Sequence, residues 1–112
     1  MTQENKDLLL KDLCARLPYG TRVYAQNAND WYDDEINIQV LSDAINENYI
    51  IKPYLFPLSS MTEEQNKEWL YTLSSDYHIT YDTVDWCNKN HFDYRGLIPM
   101  GLAIDATGLN IY

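Results

Sequence analysis

The chain contains little cysteine, little proline and glycine, few basic residues and no long apolar run. Two cysteines in 112 residues are too few for the disulfide framework of a small secreted domain, so we expect buried free thiols in a reducing compartment. No apolar run approaches the length of a membrane span, and the first residues do not resemble a signal peptide. These absences predict a cytoplasmic protein with no membrane partner.

Basic residues are scarce relative to acids. Eight Lys and Arg stand against seventeen Asp and Glu, which gives a net charge of −9. Direct binding to a nucleic-acid backbone or to an anionic membrane depends on basic patches, so this balance argues against both. It is compatible with solubility alone, with an acidic face for a basic partner, or with mimicry of a polyanion.

Amphipathic aromatic rings are what the chain has in abundance. It contains ten Tyr and three Trp against two Phe, within a hydrophobic fraction of 46% that is ordinary for a globular protein. Such rings suit the core of a small domain and equally a surface that a partner covers. The length predicts one globular domain over residues 1–112 with a single modest core.

Helical spacing of apolar residues predicts a first helix over residues 5–17, which Pro18 ends. Asp12 and Arg16 are spaced i, i+4 and are expected largely opposite the apolar stripe, on the solvent side. The stripe consists of Leu9, Leu10, Leu13, Cys14 and Leu17.

Two further helices are predicted in the second half of the chain. Thr62 and Gln65 have the spacing of a capping box, which begins a helix over residues 63–74. Asp82 or Thr83 can cap a third helix that ends at about Asn90. Residues 77–81 have strand propensity but are short, so their state stays open.

Alternating polar and apolar residues predict three strands, over residues 21–26, 35–41 and 49–56, with residues 31–34 as a possible outgoing limb of the first. Pro53 cannot donate to a ladder, which places the third strand at an edge or at a bulge. Residues 102–104 suit a short last strand, and residues 108–112 a loosely held tail. The predicted fold is α+β: an N-terminal helix, a three-stranded antiparallel meander, then two or more helices packed on one face.

No catalytic or cofactor motif is present, so we expect no enzyme, no cofactor and no metal. Cys87 and His91 have an i, i+4 spacing that could offer two metal ligands, but a third ligand is not apparent. The hexapeptide from His91 to Gly96 also contains Asp93, Tyr94 and Arg95, without a recognisable nucleophile and its base. A corner that ends a helix, with Asp93 as a cap and Arg95 paired to it, is the favoured interpretation.

Two short stretches are the candidate binding sites. The first concentrates acids around two large rings, where the rings would supply contact area and the carboxylates would select a basic partner. The second is the chemically varied hexapeptide. The candidate binding residues are Asp30, Trp31, Tyr32, Asp33, Asp34, His91, Asp93, Tyr94 and Arg95.

Three segments together resemble a group of small uncharacterised proteins encoded by gut anaerobes, their mobile elements and their phages. They are residues 8–20 (LLLKDLCARLPYG), 51–64 (IKPYLFPLSSMTEE) and 88–103 (NKNHFDYRGLIPMGLA). The resemblance implies no catalytic residues. It does imply a role in phage or mobile-element biology, where small acidic proteins can inhibit host nucleic-acid-binding machinery.

The leading functional hypothesis is therefore a non-enzymatic module that binds a protein partner of basic character. One alternative is an acidic mimic of nucleic acid that inhibits a host nucleic-acid-binding protein. The other is a small enzyme or metal-binding protein that uses Cys87, His91, Asp93 and Arg95. Convergence of those four side chains in one pocket would favour the last alternative.

Overall fold

The computed structural model describes residues 2–27, 29–45 and 49–112, which form an α+β fold around a mixed five-stranded sheet. Within these residues, none of the helices has the length and apolar character needed to span a membrane. The helices are α1 (Gln3–Arg16), α2 (Ile38–Ile45), α3 (Glu63–Thr72) and α4 (Tyr81–Lys89), with 3-10 turns at Leu17–Tyr19 and Leu58–Ser60. The strands are β1 (Arg22–Gln26), β2 (Trp31–Glu35), β3 (Ile50–Pro57), β4 (Phe92–Asp93) and β5 (Ile104–Asp105).

The first helix is confirmed, and it begins two residues earlier than predicted because Thr2 accepts a hydrogen bond from the Asn5 N–H. The buried face of this helix is rotated about the helix axis relative to the predicted apolar stripe. It consists of residues spaced i, i+3, i+4 and i+7, namely Leu9, Asp12, Leu13 and Arg16. Cys14 therefore points to solvent, so the expectation of a buried thiol is wrong for Cys14 and confirmed for Cys87.

The chain after α1 forms an antiparallel hairpin of β1 and β2 in which Ala25 opposes Tyr32. The turn is closed by Asn27, whose side-chain oxygen accepts from the N–H groups of Asn29 and Asp30 at 2.9 and 2.7 Å. The predicted outgoing limb is thus the second strand of the hairpin.

The strand predicted over residues 35–41 is wrong, because most of this segment lies in α2. The Asn37 side chain accepts a hydrogen bond from the Val40 N–H at 2.9 Å, which starts a helix. Val40 and Ala44 then pack on the core at i, i+4 spacing. The polar sequence of residues 42–48 predicts a connection with room for a helical turn at Ala44 and Ile45; it is helical up to Ile45, and residues 46–48 lie outside the described residues.

The third predicted strand is confirmed within one residue as β3, but it lies neither at an edge nor at a bulge, since its register with β1 is unbroken from Ile50 to Pro53. The sheet order is β2-β1-β3-β4, and β5 also pairs with β3. The sheet is therefore no meander: β2 and β3 are parallel, separated by β1, and connected through α2. Pro53 is fully buried opposite Val23. A proline fits there because directly opposed residues of an antiparallel ladder alternately exchange two hydrogen bonds or none.

The two later helices begin at capping boxes. The predicted box of Thr62 and Gln65 is confirmed. In α4 the cap is Thr80, which exchanges hydrogen bonds with Thr83, so the prediction of Asp82 or Thr83 as cap is wrong by two to three residues. Residues 77–80 lie outside the strands and helices of the structure.

The C-terminal segment completes the sheet and adds a second core. β4 and β5 run parallel to the second half of β3, and Leu55, Leu97, Leu102 and Ala103 form a buried cluster beside them. The prediction that residues 108–112 form a loosely held tail is wrong. The Tyr112 hydroxyl donates to the Tyr54 carbonyl at 2.7 Å and accepts from the Arg22 N–H at 2.8 Å, which ties the tail to the sheet.

Candidate interaction surface

The sheet has one covered face and one accessible face. Val23, Ala25 and Ile51 alternate onto the first face, where they join the core cluster with residues of α1 and α2. Their neighbours in sequence alternate onto the second face, where Trp31 is 61% exposed. This second face is called the open sheet face below; its central residues are Tyr24, Trp31, Asp33, Lys52 and Tyr54.

Aromatic rings organise the open sheet face. Trp31 and Tyr24 stack with ring centroids 6.2 Å apart and planes 24° from parallel. The Tyr54 hydroxyl donates to the Asp33 carboxylate at 2.6 Å. Burial, and after it this hydrogen bond, raise the pKa of Tyr54 to about 12, so the phenol stays a neutral donor at physiological pH. The rings and the carboxylate are thus positioned before any partner arrives.

Carboxylates border this face along β2. Within the described residues β2 pairs with β1 alone, so its outer edge has no strand beside it. Asp33, Asp34 and Glu35 are all exposed there. A run of like charge on an edge strand opposes pairing with another copy of the same strand.

The structure divides the first predicted patch between the two faces. Trp31 and Asp33 lie on the open sheet face, whereas Tyr32 and Asp34 alternate to the other one. Tyr32 packs beside the core and donates to Asp43 at 2.8 Å, and burial followed by this bond raises its pKa well above the usual range. Asp30 accepts from the Trp31 N–H at 2.8 Å and so orders the turn.

The second predicted patch lies elsewhere, around a buried ion cluster that no local sequence pattern predicts. Asp12 accepts from Arg16 at 2.9 Å and from Arg95 at 3.1 Å, and both Asp12 and Arg16 are fully buried. Arg16 also donates to the Phe92 carbonyl at 2.7 Å. The i, i+4 spacing of Asp12 and Arg16 was visible in the sequence, but nothing local to it distinguishes a buried pair from a solvent-exposed one.

The remaining residues of the hexapeptide serve this cluster and the nearby backbone. Tyr94 contacts both guanidinium groups: the central carbons of Arg16 and Arg95 lie 5.4 and 4.8 Å from its ring centroid. Asp93 accepts from the Leu97 and Ile98 N–H groups, both at 2.9 Å, so it orders the turn over residues 97–100 and does not begin a helix as predicted. The predicted pairing of Arg95 with Asp93 is wrong, because Arg95 reaches across to Asp12 instead.

His91 and Cys87, the remaining two residues of the enzyme or metal hypothesis, have contacts of their own. His91 follows α4 with a positive φ of 63°, lies 3.0 Å from the Thr21 hydroxyl, and stacks on Tyr112 at 3.8 Å between ring centroids. Burial, assisted by the charge of Arg16, lowers the pKa of His91 to about 4. Burial also raises the pKa of the Cys87 thiol to about 11, which leaves it protonated and a poor nucleophile.

The four side chains of the enzyme or metal hypothesis therefore have different partners. Asp93 binds backbone N–H groups, Arg95 binds Asp12, His91 contacts Thr21 and Tyr112, and Cys87 is buried beside Trp69. Across residues 2–27, 29–45 and 49–112, no group of three or more His, Cys, Asp or Glu side chains could hold a metal ion.

Comparison of the chain with protein-family models, with curated proteins and with solved structures finds no match. The resemblance to small proteins of gut anaerobes, mobile elements and phages therefore stays a prediction.

Proposed function

We propose that this chain is a non-enzymatic interaction module whose open sheet face binds a basic surface of another protein. The observation that supports this most directly is the exposed Trp31–Tyr24 stack beside the carboxylates of β2. It combines apolar contact area with negative charge on a face that α1 and α2 leave accessible.

The rings are suited to supply binding energy. Trp and Tyr are enriched among the residues that dominate protein interfaces, because they remove a large apolar area from water. Trp31 is already stacked on Tyr24, and Tyr54 is already bonded to Asp33. Side chains that are ordered before binding lose less conformational entropy when a partner arrives.

The charges on this face are suited to orient the partner. Asp33 and Glu35 lie along β2, whereas Arg22 and Lys52 lie on the neighbouring strands of the same face. A partner with lysine or arginine side chains would be attracted to the β2 side and repelled from the side of Lys52. Complementary charge of this kind raises the association rate and fixes the relative orientation of two proteins.

No comparable observation supports the alternative hypothesis that the chain mimics a nucleic acid. A polyanion mimic needs carboxylates on one face at phosphate-like spacing. Exposed carboxylates of this chain occur on α1, β2, α3 and α4. They are spread over elements in both halves of the fold, which favours solubility and the local acidic border of β2 over imitation of a nucleic-acid backbone.

The test is affinity capture from a lysate of the organism that encodes the chain, with three baits and a salt series. The baits are the natural chain, Trp31→Ser and Tyr71→Ser; Tyr71 is 91% exposed on α3 and is the matched control. We expect the natural chain and Tyr71→Ser to retain the same proteins, and Trp31→Ser to lose them. These proteins should elute as the salt concentration rises. Purified partner and chain should then show about 30-fold weaker binding for Trp31→Ser, as for a typical interface hot spot. Equal capture by all three baits would refute the proposed surface.

A further inference from the structure

A second apolar surface lies on the helical side of the molecule. Among its described side chains α3 has none that is buried, although it contains Trp69, Leu70 and Tyr71. The loop after α3 and the start of α4 add three large exposed side chains, Tyr77 at 77%, Ile79 at 63% and Tyr81 at 91%. Ile79 and Tyr81 line one concavity, and adjoining exposed apolar side chains mark contact sites more often than scattered ones do.

Two adjoining concavities give this surface a definite shape. The outer one, of about 320 Å³, is lined by Ile79, Thr80, Tyr81 and Val84. The inner one, of about 30 Å³, shares Ile79 and Val84 and continues inward to Leu58, Trp69, Cys87 and Tyr94. We call the two together the α3–α4 groove.

The inner concavity suits the tip of an aliphatic side chain. Its walls are mostly apolar, and burial raises the pKa of the Cys87 thiol to about 11, so no charge forms there at physiological pH. A volume of about 30 Å³ leaves room for only one small group. Filling it with a methyl-bearing group would restore the dispersion contacts that its walls lack.

The charge of the helical segment that forms the groove decides the kind of partner. Residues 63–90 contain six acids and two bases, and all six carboxylates are exposed. Asp82 and Asp85 lie on α4 itself, on either side of Val84 in sequence. Two copies of this surface would repel one another, and so would an anionic membrane. A segment rich in lysine or arginine would be attracted.

We propose that the α3–α4 groove docks a positively charged segment of another protein, which inserts an aliphatic anchor side chain between Ile79 and Val84. The groove uses residues on the helical side of the fold, so this inference is independent of the open sheet face. It gives the chain two contact surfaces of the same charge preference but different shape: a flat aromatic face and a narrow aliphatic slot.

The test uses a synthetic amphipathic helix of leucine and lysine as probe, titrated into the isotope-labelled chain and followed by NMR. We expect amide shifts concentrated in residues 79–87. We also expect binding at least tenfold weaker for Ile79→Ser, and unchanged for the control variants Trp31→Ser and Leu109→Ser, whose side chains lie outside this surface. All three replaced side chains are exposed, so each variant should fold. The same helix with serine in place of leucine should bind far more weakly.

Several outcomes would overturn the inference. Equal affinity of the serine-substituted probe would mean that charge alone attracts it. Shifts centred on Trp31, or on the separate concavity lined by Leu9, Leu10 and Ile51, would place the docking site elsewhere. A dimer of the chain that Ile79→Ser dissociates, measured by sedimentation, would identify the occupant as a second copy.

Discussion

Asp12 is fully buried and binds two guanidinium groups, of which only that of Arg95 is partly exposed. Arg16 is fully buried, and its Nη1 has no hydrogen-bond partner among the described residues. The carboxylate is consequently the main compensation for a buried positive charge. Removing one member of such a pair costs much more than the pair itself contributes, because the other charge is left in the interior.

Asp12→Asn should therefore lower the free energy of unfolding by about 3–5 kcal/mol. The measurement is urea denaturation followed by tryptophan fluorescence. Asp7→Asn is the matched control, because Asp7 is exposed on the same helix and should change stability by less than about 0.5 kcal/mol. A loss below about 1 kcal/mol for Asp12→Asn would mean that Arg16 finds water or another acceptor.

His91 should make stability depend on pH over a defined window. Its pKa is lowered from 6.5 to about 4 in the folded chain, so the unfolded chain binds a proton more readily between these values. The contribution of neutral His91 is fully present above pH 6.5 and is lost as the pH falls toward 4. We expect the stability advantage of the natural chain over His91→Asn to shrink across this window.

Asparagine is the suitable replacement at position 91, because it tolerates the positive φ of this residue. Melting temperatures of both proteins between pH 7.5 and 4 give the measurement. A difference that stays constant with pH would show that His91 titrates alike in the folded and unfolded chain.

Among the elements, the sequence predicted those whose local pattern agrees with their final packing. The first helix, the strand now called β3 and the capping box of α3 were all predictable from spacing and caps. Residues 35–41 were not, because Ile36, Ile38 and Val40 alternate like a strand while Val40 and Ala44 also fit a helix. The burial of Asp12 and Arg16 depends on Phe92 and Arg95, which no local pattern contains.

The Asn37 cap should decide whether the segment after it is helical, although residues 35–41 alternate like a strand. Asn37→Ala removes the acceptor of the Val40 N–H and should lower the free energy of unfolding by about 1 kcal/mol, with a loss of helical circular dichroism. Asn37→Asp keeps an acceptor at the same position and serves as control. If alanine were as stable as aspartate, packing of Val40 and Ala44 alone would maintain α2.

Prediction of the candidate site from the sequence was limited in the same way, because exposure and facing depend on the whole fold. The sequence located the Trp31 and Asp33 part of the contact surface, because large rings among acids are conspicuous. It grouped Tyr32 with Trp31 as one patch, although alternation along a strand over residues 31–34 places the two rings on opposite faces. Ile79 and Tyr81 were not identified, because exposure of an apolar residue is a property of the fold.

At the scale of the whole molecule, the net charge of −9 should oppose folding when salt is low. The ion pairs of Asp12 are buried and little affected by salt, whereas repulsion among exposed carboxylates is screened within about 10 Å at ~0.1 M salt. We expect the melting temperature to rise by a few degrees between low and physiological salt.

The control for this salt effect is the double variant Asp76→Lys, Asp85→Lys. It replaces two exposed acids of the α3–α4 segment and raises the net charge from −9 to −5. Its melting temperature should depend less on salt. A melting temperature of the natural chain that falls as salt rises would mean that attractive surface pairs outweigh the repulsion.

The cluster around Arg16 also has a consequence for synthesis on the ribosome. The acceptor at Phe92 lies 76 residues after Arg16, and Arg95 lies 83 residues after Asp12. A nascent chain grows from its N-terminus, so α1 is complete long before either group has been translated. Until they emerge, burial of Arg16 would lack part of its compensation, and such long-range contacts slow folding. The first helix of the chain is therefore one of the last parts to find its final place.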